Sequence, residues 1–245
     1  MLPLAGQPMI WHIVQRARAC ELVSEVVVAT SSEPSDDPLA EFCINSDIRC
    51  YRGSLNNVLS RYTNILAQGS SDYCVRITGD CPLIDPEFID KQIWVLRQYE
   101  ADLVWLTEPV TVLEGQGVHS TTSLRYIAER TEHSDDLEHV GSRYLSEHPE
   151  KFRIIGMRPP KSLSALNWRI TVDEFRDYEL MESLYHNLFV GQIVPLSKAL
   201  IWLAENLDKA ALNQLVKNST VNQQLASKRR AWEQKVDIYC DWKTG

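Results

Sequence analysis

No stretch of this sequence approaches the ~20 consecutive apolar residues of a membrane-spanning helix; the best candidate, Val26 to Ala29, is of strand length. Basic residues are in deficit, since 25 Lys and Arg stand against 33 Asp and Glu, a formal net charge of −8. That balance argues against a general binder of nucleic acid or membrane surfaces, which needs a basic face. A small anionic ligand stays admissible, because a few positioned arginines suffice for it. There is no C-x-x-C pair and no Cys/His cluster at zinc spacing, so Cys20, Cys43, Cys50, Cys74, Cys81 and Cys240 read as reduced, mostly buried thiols of a cytoplasmic protein. Met1 to Gly6 lacks a basic region followed by an apolar core, which predicts no secretory signal. Neither a G-x-S-x-G elbow nor a G-x-x-x-x-G-K phosphate loop occurs, so neither a hydrolase triad nor a P-loop is indicated.

What is present is an ordinary globular composition, 44% hydrophobic and 24% charged over 245 residues, enough for one or two domains. Met9, Ile10, Ile13, Val14 and Ala17 recur at helical spacing ahead of the β-branched run Val26 to Thr30. The alternation continues with a short helix near Leu39 to Cys43, a strand at Ile48 to Tyr51, and a helix through Val58 to Leu66. A strand at Tyr73 to Thr78, a helix from Pro86 to Tyr99 and a strand at Asp102 to Leu106 follow. Strands separated by helices of crossover length imply a largely parallel sheet with helices on both faces. Glu108 to Ser123 breaks the rhythm and predicts an antiparallel excursion. Further strands are expected at Phe152 to Met157 and Asn167 to Val172. Helices are then expected at Glu174 to Leu188, Pro195 to Asn206 and Lys209 to Val216, before a polar tail with Lys228-Arg229-Arg230 and Trp242. The expected division is an α/β domain over 1–190 and a helical C-terminal extension over 191–245.

The most informative block is Arg76-Ile77-Thr78-Gly79-Asp80-Cys81-Pro82-Leu83-Ile84-Asp85-Pro86. An apolar strand ends at Gly79-Asp80, so the carboxylate emerges at the carboxyl edge of the sheet, where open α/β sheets bind ligands. Glycine admits a ligand close to the backbone, and an aspartate is a hard oxygen ligand suited to Mg²⁺. The plainer reading makes Asp80 a turn residue, and Asp85 an N-cap ahead of Pro86. Asp173 also closes a β-rich run before a helix, and reads either as a second metal carboxylate or as a cap. In Tyr51-Arg52-Gly53-Ser54, Arg52 could offer its guanidinium to a nucleotide, or Ser54 could merely cap a helix while Arg52 faces solvent. His139 reads as a packing or surface residue.

These blocks, with Leu2-Pro3-Leu4-Ala5-Gly6-Gln7-Pro8-Met9, His148-Pro149-Glu150-Lys151-Phe152-Arg153 and Thr171-Val172-Asp173, resemble the cytidylyltransferase family of spore-coat polysaccharide biosynthesis protein F and the CMP-sugar-acid (acylneuraminate and KDO) synthetases. The resemblance runs to about residue 185. It implies a Rossmann-like nucleotidyltransferase three-layer sandwich with a mostly parallel sheet. It implies cytidylyl transfer from CTP to a sugar acid, with release of pyrophosphate, for surface polysaccharide or glycan synthesis. Asp80 and Asp173 would then be the catalytic, Mg²⁺-binding carboxylates, and Arg52, Arg76 and Gly79 would lie at the nucleotide. The implied partners are CTP and a sugar acid, with no nucleic acid and no membrane, and a homodimer is the assembly considered.

Members of this family usually carry a strand and a basic, glycine-containing phosphate loop ahead of the block with which this sequence starts. The expectation is therefore that Met1 is an internal methionine of a longer natural protein, the alternative being a shortened relative without catalysis. Leu55, Asn57 and Gln7 also depart from the family pattern. Two other functions stay open: a nucleotide-sugar glycosyltransferase using Asp36-Asp37 or Asp135-Asp136, and a non-catalytic domain that binds a partner protein.

Overall fold

The computed structural model describes residues 1–214, 236 and 238–241. Its first element is a tight hairpin of β1 (Pro3–Leu4) and β2 (Gln7–Pro8), closed by Ala5 and Gly6 at φ +46° and +83°. Pro8, with no amide hydrogen to leave unpaired, precedes α1 (Met9–Arg18). The helical recurrence of Ile13, Val14 and Ala17 buries one face of α1. Strand β3 (Val27–Ser31), helix α2 (Asp37–Asn45) and strand β4 (Arg49–Gly53) then form a crossover unit. β3 and β4 pair in parallel, from Val27 opposite Arg49 to Ser31 opposite Gly53. Val14, Val28, Cys43 and Ile48 fill the small core of this unit.

A larger sheet takes up most of the remaining chain. Helix α3 (Val58–Leu66), capped by the Asn57 side chain on the Ser60 amide at 2.8 Å, leads to β5 (Tyr73–Ile77). Next come α4 (Pro86–Tyr99), β6 (Leu103–Leu106), β7 (Gln116–Ser120), α5 (Thr121–Ala128), α6 (Ser134–Glu138) and α7 (Ser142–Glu147). Strand β8 (Ile154–Arg158), helices α8 (Lys161–Ser164), α9 (Phe175–Leu188), α10 (Leu196–Glu205) and α11 (Leu207–Ala210), and strand β9 (Ile238–Asp241) complete the order. The sheet runs β5-β7-β6-β8-β9. The β6–β8 and β8–β9 ladders are parallel, while β7 is antiparallel to both neighbours and is the excursion expected between Glu108 and Ser123.

Strand alternation makes this a three-layer arrangement. Tyr73, Val75 and Ile77 of β5 pack on a large core shared by α1, α4, α9 and α10, whereas Cys74 faces a smaller core shared by α3, α5 and α7. Among the described residues no cysteine is in a disulfide, and Cys20, Cys43, Cys81 and Cys240 are buried. Among the described residues, no helix is long and apolar enough to cross a membrane.

Two expectations change. Among the described residues Asn167 to Val172 joins no ladder, although Trp168, Ile170 and Val172 alternate into the main core. The segment expected as a helical extension contains α10 and α11 but also returns β9 to the sheet beside β8. Of that segment, Leu215 and Val216, Lys228 to Arg230 and Trp242 lie outside the described residues.

Gly115, just before β7, holds the end of β5 in place. Its carbonyl accepts the Thr78 amide at 3.0 Å, and its own φ is +73°. A Cβ there would stand 2.1 Å from Cys81 Sγ and 2.6 Å from Thr78 Oγ1, so backbone conformation and packing both require glycine. Gly115→Ala is expected to cost about 1–3 kcal/mol of stability in urea unfolding, as overpacking in a close-packed turn does.

His119 of β7 leans over Gly117, its Nε2 3.7 Å from where a Cβ of that glycine would lie. Its Nδ1 is buried with no hydrogen-bond partner among the described residues. Burial, and then the charge of Arg76, pull its pKa from 6.5 to about 4. Between those values the unfolded chain binds a proton that the folded chain refuses, so this histidine makes stability fall as pH drops from 6.5 to about 4. The expected slope is at most about 1.4 kcal/mol per pH unit. Urea unfolding of the His119→Gln variant should show a correspondingly flatter acid limb than the parent, and parallel limbs would refute the assignment.

Candidate active site

The loop after β5 carries Asp80, and one main-chain bond determines what stands beside it. The Val172 amide donates to the Asp80 carbonyl at 2.8 Å, bringing the next residue, Asp173, to the same rim. The two carboxylates sense each other. Burial first, and then the negative charge of Asp80, raise the pKa of Asp173, while the Arg169 guanidinium and the Thr171 hydroxyl at 3.2 Å pull it down. Asp173 keeps 49% of its side chain exposed, so the rim is open to a ligand.

Arg169 is the hinge of this charge arrangement. Its Nη2 pairs with Asp173, and its Nε donates to Asp177 at 2.9 Å. The Asp177 side chain is fully buried and also accepts the amides of Asp173 and Glu174 and the Asn213 side chain, at 3.1, 2.9 and 2.8 Å. Burial alone would raise its pKa, but the bonds from Arg169, Glu174 and Asn213 outweigh that and keep it below the ordinary carboxylate value. Glu174, rather than Asp173, is the N-cap of α9, in a reciprocal capping box with Asp177. Asp173 is thereby spared the capping role and left at the rim.

Gly79, next to Asp80, is exposed, and a Cβ added there would meet nothing within 4 Å. Its φ lies outside the left-handed region, so neither packing nor backbone conformation requires glycine. Asp80, Asp173 and Gly79 therefore belong to one open edge. Among the described residues, no group of three or more His, Cys, Asp or Glu side chains is placed to hold a metal by itself. The two carboxylates do supply the hard oxygen donors that Mg²⁺ takes in partial protein sites.

Arg52 closes the carboxyl end of β3, donating to the Ser31 and Glu33 carbonyls at 3.0 and 2.9 Å and pairing with Asp37 at 2.7 Å. Arg76 lies within the body of β5, opposite Gly117, where His119 and Tyr62 feel its charge. Asp85 stands at the N-cap position of α4, yet its side chain makes no capping bond. Burial raises its pKa, against the pull of Arg16. His139 is a surface residue 3.6 Å from Asp135.

Neither acidic pair expected of a glycosyltransferase is free. Asp36 accepts bonds from Thr30 and Ser31, Asp37 holds Arg52, and buried Asp136 accepts from Thr131 and the Tyr144 amide. Arg169, Asp177 and Gly115 were not among the sequence candidates. The four-residue spacing of Arg169, Asp173 and Asp177 was the available signal.

Comparison with known proteins completes the picture. Spore coat polysaccharide biosynthesis protein SpsF of Bacillus subtilis is 27% identical over 212 residues, covering 85% of this chain and 88% of that protein. The 3-deoxy-manno-octulosonate cytidylyltransferase of Geotalea daltonii is 34% identical over 95 residues, covering 39% of this chain and 37% of its own. In fold, a cytidylyltransferase from Leptospira borgpetersenii superposes with a TM-score of 0.77 at 22% identity, covering 89% of this chain and 91% of that one. A CMP:2-keto-3-deoxy-manno-octonic acid synthetase complexed with CTP gives 0.54 at 16% identity, covering 75% and 89%. These likenesses place the sheet among nucleotidyltransferase Rossmann-like folds. The sequence profile of the family described as Cytidylyltransferase matches residues 1–219 of the 245, and the chain belongs to that family.

Proposed function

We propose that this protein transfers the cytidylyl group of CTP to a sugar acid, releasing pyrophosphate, and that it does so in the cytoplasm for a surface polysaccharide or glycan. The observation that carries the reading is the Val172–Asp80 bond, which sets Asp80 and Asp173 side by side at the carboxyl rim of β5. Family membership supports cytidylyl transfer. The names of the spore-coat and 3-deoxy-manno-octulosonate relatives support polysaccharide synthesis and an acidic sugar.

In this reaction a sugar hydroxyl attacks the α-phosphorus of CTP as the bond to the β-phosphate oxygen breaks. Asp80 and Asp173 would hold Mg²⁺, which when bound neutralises charge on the phosphate oxygens and the departing pyrophosphate. Burial, and then the nearby charge of Asp80, raise the pKa of Asp173, and a divalent cation held by the two carboxylates would offset that negative charge. Arg169 fixes the direction of Asp173 and, through Asp177, stays anchored in the core. Gly79 leaves room for a phosphate or ribose against the backbone.

Asp80→Asn is expected to lower CTP- and Mg²⁺-dependent pyrophosphate release by about 10²–10³-fold with the melting temperature unchanged. CTP binding indifferent both to that substitution and to chelation of Mg²⁺ would refute the metal role. Binding of a sugar nucleotide in calorimetry, with none of CTP, would instead assign the fold to glycosyl transfer. Gly79→Ala separates site from scaffold. Urea unfolding should show stability unchanged or raised by up to about 1 kcal/mol, while calorimetry should show weaker CTP binding.

A further inference from the structure

The loop that leaves β5 at Thr78 and enters α4 at Pro86 carries Asp80, and its own backbone bonds hold it weakly. The Cys81 amide reaches the Thr78 carbonyl at 3.3 Å and the Ile84 amide reaches the Cys81 carbonyl at 3.4 Å, both long for bonds of this kind. Two shorter bonds come to the same loop from the core. The Tyr185 hydroxyl of α9 donates to the Pro82 carbonyl at 2.6 Å, and Arg16 Nε of α1 donates to the Ile84 carbonyl at 2.5 Å. Arg16 Nη1 also donates to the Val194 carbonyl, in the segment between α9 and α10. Arg16 and Tyr185 are each 1% exposed, so water does not compete for either bond.

A guanidinium withdrawn from water is costly, and here its Nη2 is buried with no hydrogen-bond partner among the described residues. An aliphatic side chain would fill the same space without that cost, so stability alone does not account for an arginine at this position. What Arg16 and Tyr185 share is the loop they address. Helix α9 serves the other carboxylate as well. Its Asp177, about two turns ahead of Tyr185, holds Arg169, which pairs with Asp173. One helix thus ties both halves of the rim.

We propose that Arg16 and Tyr185 are positioning residues, which fix the Pro82 and Ile84 carbonyls and so hold Asp80 at the spacing from Asp173 that a shared divalent cation requires. The proposal rests on the reading of those two aspartates as the cation-holding pair. Both positioning residues are buried beneath the open rim and act through the loop alone. Partners of this indirect kind matter because a metal site tolerates little movement of its ligands.

Tyr185→Phe tests this with the least disturbance: the ring keeps its packing on His12, 4.4 Å between centroids, and only the hydroxyl is lost. Hydrogen exchange without nucleotide or metal should show the Cys81, Ile84 and Val172 amides exchanging ~10-fold faster, with those of Val27–Ser31 in β3 unchanged. In calorimetry, the Mg²⁺ concentration that half-saturates the Mg²⁺-dependent part of CTP binding should rise ~10-fold, with CTP binding in chelator unchanged. In the Asp80→Asn background the same substitution should shift neither quantity further, since Tyr185 acts through Asp80. Arg16→Lys, which keeps the charge but loses the planar fork, should move exchange and Mg²⁺ dependence in the same direction. Exchange accelerated equally in all strands, or a Mg²⁺ shift that persists in the Asp80→Asn background, overturns the proposal and leaves the two residues a purely structural role. Mg²⁺ dependence present in the parent and unmoved by Tyr185→Phe overturns it while the metal reading stands. CTP binding by the parent that ignores Mg²⁺ overturns both.

Discussion

A single backbone hydrogen bond, from the Val172 amide to the Asp80 carbonyl, is the constraint on which the rim of the sheet depends. It joins a loop at the end of β5 to a segment more than ninety residues later in the chain. A main-chain bond suits this purpose, because it leaves the side chains on both sides of it uncommitted. The two aspartates are therefore brought together without being paired with each other or used up in the joint.

Holding two carboxylates close at an open edge raises the free energy of the charged pair, and the surroundings offset it locally. Arg169 reaches Asp173 with one nitrogen and Asp177 with another. Asp177 can be fully buried only because Arg169, two backbone amides and Asn213 satisfy it. The buried carboxylate anchors the arginine, and the arginine orients the exposed carboxylate. Under Asp80, Thr78 and Cys81 pack against the bare Cα of Gly115, so the loop rests on a turn that tolerates no side chain. The charged rim is thus supported by two different means, a satisfied ion network on one side and close steric packing on the other.

Much of this was legible in the sequence. Helical recurrence in Met9 to Ala17 and the apolar run at Tyr73 to Thr78 correspond to α1 and β5, and the irregular stretch between Glu108 and Ser123 contains antiparallel β7. Asp80 and Asp173 were singled out because each closes an apolar run before a helix, a local property. Asn167 to Val172 was misread for an instructive reason: its side chains alternate as a strand's do, yet no neighbour among the described residues offers it a ladder. Arg52 donates to carbonyls and pairs with Asp37 at the end of β3, and Arg76 lies in β5, where its charge reaches His119; no sequence pattern announced these partners.

What the sequence by itself determined are the properties set by neighbours along the chain: periodicity, helix starts at proline, the strand-end position of Gly79-Asp80, and the family pattern carried by those blocks. Only the tertiary structure decided which distant groups meet. Asp173 joins Asp80 and Gly115 fits against Cys81, both through contacts between segments tens of residues apart, and Asp177 takes up Arg169. The physical reason is that local pattern constrains backbone conformation and the face a residue presents, whereas a meeting of charges follows from how whole layers pack. No stretch of sequence contains that packing.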